Sequence, residues 1–115
     1  MCTKNELMKI LNAFALNAKS ELGDKLSDVI LFGSYARGDF DEESDVDIAL
    51  IVDVPQGQEH TYYKQLTKII GDIDEQFNYS VFLAPVVISG NVYNEWKDDL
   101  PFYRNIQKEG VRIVA

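Results

Sequence analysis

Leu7, Leu11, Phe14, Ala18 and Leu22 recur at helical spacing, which predicts an amphipathic helix over 4–22 that packs one face on a sheet. Thr3 followed by Glu6 reads as a capping box at its start, and Gly23 as its stop. The pattern then changes period. Ser27 to Gly33, SDVILFG, is a short apolar run rich in branched residues, as in a buried strand. A short turn and helix, SYARG, follows, and 39–44 is a polar, acidic loop. Val46 to Val54 is a second apolar run ended by Pro55, and the short link to the first strand predicts an antiparallel neighbour.

Tyr62, Leu66, Ile69, Ile70, Ile73 and Phe77 outline a second amphipathic helix, in which Gly71 is expected to mark a close packing contact. A third strand is predicted over 78–87, interrupted at Pro85. Val92, Tyr93 and Trp96 mark a short helix. Pro101 opens another that Gly110 closes, and 111–114 reads as a small final strand. This order predicts an α/β (α+β) layer fold, a small mixed sheet with helices mainly on one face.

Bulk properties narrow the classes. At 115 residues the chain fits one domain, 1–115, with enough length for one core. No apolar run approaches the roughly 18 residues that a bilayer demands, and the N-terminus lacks a signal-peptide layout. A cytoplasmic address and no membrane partner are expected. The net charge of −8 argues against strong intrinsic nucleic-acid binding, which needs Lys and Arg against phosphates. It leaves room for a nucleotide that arrives with metal ions. The single cysteine, Cys2, and the single histidine, His60, cannot build a zinc site, and neither is assigned a role.

The chemistry concentrates in residues 33–48, GSYARGDFDEESDVDI. Gly33-Ser34 sits between a strand and a helix, where glycine lets backbone approach a ligand, helix N–H groups point outward and the serine hydroxyl adds a donor, a layout suited to phosphate. Asp45 and Asp47 share one strand face, with Cβ atoms roughly 7 Å apart. An isolated Asp-x-Asp more often faces solvent at a strand edge. Beside a phosphate-binding turn, however, two mutually repelling carboxylates suit a divalent cation such as Mg²⁺, which takes one or two carboxylates plus substrate phosphates. The acidic loop of Asp39, Asp41, Glu42 and Glu43 reads as solvated rather than ligating.

Gly33-Ser34, ten intervening residues, then Asp45-Val46-Asp47 resembles the signature of the DNA polymerase beta-like nucleotidyltransferase superfamily. The fuller string GSYARG…SDVDI, with the ending PFYRNIQKEGVRIV, is similar to its minimal nucleotidyltransferase (MNT) branch, small domains often paired with a HEPN-type partner. The resemblance implies the polymerase beta-like fold and transfer of a nucleoside monophosphate from a triphosphate, ATP first among them, to an acceptor hydroxyl such as one on a protein partner. It implies that Gly33 and Ser34 hold phosphates and that Asp45 and Asp47 are the catalytic pair and bind Mg²⁺. Arg37 either touches a phosphate or braces the loop.

The family's third acidic position falls, by alternation along the expected third strand, on Ser80. That puts a second metal ion, and turnover, in doubt. The alternative is an antitoxin-like module that restrains a small helical HEPN-type ribonuclease with weak or no transfer. No acceptor-binding domain is evident, so a partner or a second copy is expected to supply that surface. Tyr93, Trp96, Phe102 and Tyr103 are candidates to cover it, though most are better explained as core.

Overall fold

The structure is a computed structural model, and it describes residues 4–41, 43–78 and 81–113. Helix α1 spans Lys4–Leu22 and buries Leu7, Ile10, Leu11, Phe14, Ala15, Ala18 and Leu22, the face that the periodicity marks. Thr3 and Cys2 lie outside the described residues. Strand β1 (Leu26–Phe32) leads into a one-turn helix α2 (Ser34–Arg37), and the loop after it feeds β2 (Val46–Val52). A 3-10 turn over Glu59–Tyr62, with His60 exposed, precedes α3 (Tyr63–Gln76). Strand β3 (Leu83–Ser89), helices α4 (Gly90–Trp96) and α5 (Pro101–Glu109) and the two-residue β4 (Val111–Arg112) complete the described chain.

The sheet order is β3-β2-β1-β4. β1 pairs antiparallel with β2 and with β4, while β2 pairs parallel with β3. The link between β1 and β2 is short enough for antiparallel neighbours. The parallel step from β2 to β3 needs a crossover, which α3 provides. β2 is central and buried on both faces, which accounts for its nearly continuous apolar sequence. Val46, Ile48, Leu50 and Val52 face the larger core under α1 and α3. Ala49 and Ile51 face the other side, where Ile30, Ile88, Tyr93 and Ile106 close a smaller core under α4 and α5. The main helical layer therefore covers one face, and the two short helices cover part of the other.

Two expectations change. β3 starts at Leu83 and runs through Pro85 without a break, because β3 is a sheet edge and an edge strand tolerates a residue with no N–H to donate. Gly71 makes no close contact. It is exposed, and an added Cβ there would meet open space. Glycine at such a site costs helix stability and brings no packing in return. Gly71→Ala is expected to stabilise the fold by about 1 kcal/mol, read as a higher denaturation midpoint at an unchanged denaturant slope.

Gly110 serves the opposite purpose. A Cβ there would overlap the Ile106 carbonyl and the Ile30 side chain. Its missing side chain lets the end of α5 close down on β1, which turns the α5 face of Phe102, Asn105 and Glu109 towards the end of β1.

Candidate active site

The site forms where β1 ends and β2 begins. Their antiparallel register sets Phe32 opposite Asp47, so the turn after Phe32 lies directly against the second aspartate. Gly33 makes that turn with φ 76° and ψ −156°, a combination almost confined to glycine. A Cβ on Gly33 would overlap Oδ2 of Asp47 and stand 3.1 Å from its Cγ. The Gly-Ser turn and the Asp-x-Asp strand therefore meet at one point. Ser34 then opens α2, and the Gly33 carbonyl accepts from the N–H groups of Ala36 and Arg37, each at 3.1 Å.

Asp45 is exposed and Asp47 half-buried. Burial pushes the Asp47 carboxyl above its ordinary value, the neighbouring Asp45 charge pushes it the same way, and Arg37 opposes both. This pair is electrostatically uncomfortable on its own, and a divalent cation relieves it. The donors are carboxylate oxygens, the hard ligands that suit Mg²⁺ rather than a softer metal. Among the described residues no group of three or more His, Cys, Asp or Glu gathers to hold an ion. The chain thus offers the two-carboxylate minimum, which fits Mg²⁺ when substrate phosphates and water complete its shell.

No carboxylate of β3 stands beside Asp47. In the parallel register the β3 residue beside Asp47 is Ala84, and beside Ala49 it is Val86. A methyl group stands on the adjacent strand, about 4.8 Å across, on the Asp47 face. Ser80 lies outside the described residues.

Arg37 donates from Nε to Oδ2 of Asp39 at 3.2 Å and reaches Oε2 of Glu109 at 3.5 Å. These contacts hold the guanidinium in its charged form, the Asp39 hydrogen bond most strongly. Arg37 thus contacts the loop at Asp39 and α5 at Glu109. It also borders a cleft of 340 Å³ that Gly33, Ser34 and Asp47 share with Phe32 and the α5 residues Phe102, Asn105 and Glu109. Asp45 does not line that cleft; it stands two residues before Asp47, just ahead of β2, close enough for its charge to act on the Asp47 carboxyl. The acidic loop residues Asp39, Asp41 and Glu43 are exposed, as expected.

Of the α5 residues, the sequence marks Phe102 only as an interface aromatic, and Asn105 and Glu109 not at all. Their signal was positional: Phe102, Asn105 and Glu109 repeat at i, i+3 and i+7, one stripe of a helix. Of the aromatic residues considered for an interface, Tyr93 is core, Tyr103 is half-buried, and Trp96 and Phe102 are exposed.

Residues 8–113 match the family described as Nucleotidyltransferase domain. The chain belongs to this family. Two proteins of Methanocaldococcus jannaschii, each carrying the name "Putative protein adenylyltransferase", resemble it along most of their length. One is 35% identical over 99 residues, covering 85% of this chain and 95% of the relative. The other is 36% identical over 103 residues, covering 89% and 92%. The fold is that of a solved structure named as a "putative nucleotidyltransferase" from Sulfolobus solfataricus, with a TM-score of 0.56 at 20% identity over 93% of this chain and 78% of that one. This nucleotidyltransferase domain is thus a transferase of the polymerase beta-like fold. None of its described helices is long and apolar enough to cross a membrane.

Proposed function

We propose that the domain binds ATP with Mg²⁺ at Asp45 and Asp47 and transfers the adenylyl group to a hydroxyl on a protein. The observation that carries this reading is the packing of Gly33 against the Asp47 carboxylate, which brings a phosphate-suited turn and a metal-suited carboxylate pair to one place. The name borne by the Methanocaldococcus relatives supports ATP as donor and a protein as acceptor.

In this reading Ser34 and the first N–H groups of α2 bind the β- and γ-phosphates. Asp45 and Asp47 would hold Mg²⁺, which would supply charge neutralisation at the phosphates. Arg37 exchanges Glu109 for a phosphate oxygen. Its side chain is 45% exposed and that of Glu109 40%, and a pair so exposed contributes only about 0–1 kcal/mol, so the exchange costs little. The acceptor oxygen bonds to the α-phosphorus, the bond from that phosphorus to the bridging oxygen breaks, and pyrophosphate leaves. With Ala84 beside Asp47, the hydroxyl proton passes to water or to a base that the acceptor brings.

Label from α-phosphate-labelled ATP is expected on protein when the domain is incubated with a heat-treated cell extract and Mg²⁺, with no gain over extract alone from γ-labelled ATP. ATP turned over to free products alone would sink the transfer. Ala84→Asp places a third carboxylate beside Asp47. It is expected to lower stability without Mg²⁺, by added like charge, and to raise the labelling rate more than tenfold with it.

Ala84 also favours a second reading, a nucleotide-binding, antitoxin-like module that restrains a HEPN-type partner, or associates with itself, without turnover. Tight Mg²⁺-ATP binding with no labelling by either wild type or Ala84→Asp would select it.

A further inference from the structure

The cleft has a second end that the phosphate and metal groups do not use. Beyond Asp47, across the antiparallel ladder, stands Phe32. The Phe102 ring meets the Phe32 ring edge-on, with centroids 5.8 Å apart at 89°. Tyr103 touches Phe102 edge-on as well, at 5.4 Å and 71°. Phe102 keeps both contacts while remaining 50% exposed and lining the cleft. One helical turn on, Asn105 also lines the cleft, and its carboxamide has no hydrogen-bond partner among the described residues. From Asp47 to Phe102 is one strand spacing plus one ring contact, on the order of 10 Å. A ribose and base extending from an α-phosphate span a comparable distance.

A half-exposed aromatic ring and an unpartnered carboxamide beside one cleft have a shared use. Every nucleobase has a π-face that stacks on such a ring, and a carboxamide, with donor and acceptor side by side, pairs with a base edge. We infer that α5 forms the nucleobase subsite of this domain, with Phe102 as the stacking platform and Asn105 as the group that reads the base edge. The inference rests on the nucleotide reading above and assigns the part of the donor that Asp45, Asp47 and Ser34 leave unheld. A purine covers more of the Phe102 ring than a pyrimidine does, so ATP binds more tightly than UTP.

The test compares ATP, UTP and inorganic tripolyphosphate, each with Mg²⁺, on wild type, Phe102→Leu and Asn105→Ala. Phe102→Leu keeps an apolar side chain at a half-exposed position and removes the ring, and thermal melts confirm folding. The expected result is a roughly tenfold loss of ATP affinity in Phe102→Leu with tripolyphosphate binding unchanged. A narrowed gap between ATP and UTP is expected in Asn105→Ala. Equal loss for ATP and tripolyphosphate, or no loss for either, overturns the base subsite while leaving the Mg²⁺-triphosphate site standing. Wild type that binds neither ligand overturns the nucleotide reading and this inference together.

Discussion

Gly33→Ala is expected to remove Mg²⁺-ATP binding and to lower the melting temperature by roughly 5–15 °C. Two separate effects combine. The backbone at φ 76° and ψ −156° lies where a side chain costs on the order of 1–3 kcal/mol, and in a domain of this size each kcal/mol shifts the midpoint by several degrees. The added methyl also overlaps Oδ2 of Asp47. Oδ2 is the free end of a side chain, so the carboxylate can swing aside and the fold survives. It then leaves the position from which it faces the Gly-Ser turn. Binding should therefore suffer more than stability, and calorimetric titration beside thermal melts separates the two. An alanine variant that melts and binds like wild type would show that the turn and the aspartate are not one site.

Asp47→Asn should stabilise the domain while destroying its binding. Burial and the Asp45 charge raise the Asp47 carboxyl above its unfolded value. The native state therefore holds this proton more tightly than the unfolded state does, and the group's contribution to stability falls as pH rises from the unfolded pKa of about 3.9 through the raised native value. Above that window ionised Asp47 is a net cost, which asparagine removes. The variant is expected to melt higher than wild type at pH 7, with the difference shrinking as pH drops below the ordinary carboxylate range. Added Mg²⁺-ATP should raise the melting temperature of wild type but not of the variant. A variant that melts lower at pH 7 would mean that Asp47 makes favourable contacts which outweigh its burial.

Much of this molecule is legible in its residues because its strongest signals are local. α1 follows from five apolar positions at one period, and β1 and β2 from apolar runs bounded by turn formers. The Gly-Ser turn and the Asp-x-Asp pair meet because strands joined by a short link lie antiparallel, a matter of chain length and sterics. What escaped depends on neighbours. Pro85 looks like a break until β3 is known to be an edge. The residue beside Asp47 is fixed by the parallel register after α3, which no local pattern encodes, and that register brings up Ala84. Gly71 looks like a packing contact until its surroundings prove open. Phe102, Asn105 and Glu109 join the cleft only because β4 pairs back on β1 and Gly110 lets α5 close on the sheet.

The most direct measurement is calorimetric titration of ATP, with and without Mg²⁺, into wild type and the well-folded Asp47→Asn variant. The account predicts Mg²⁺-dependent heat in wild type and, in the variant, affinity weakened at least about tenfold, or roughly 1.4 kcal/mol. Equal binding by the two proteins, or no binding by folded wild type, would contradict it.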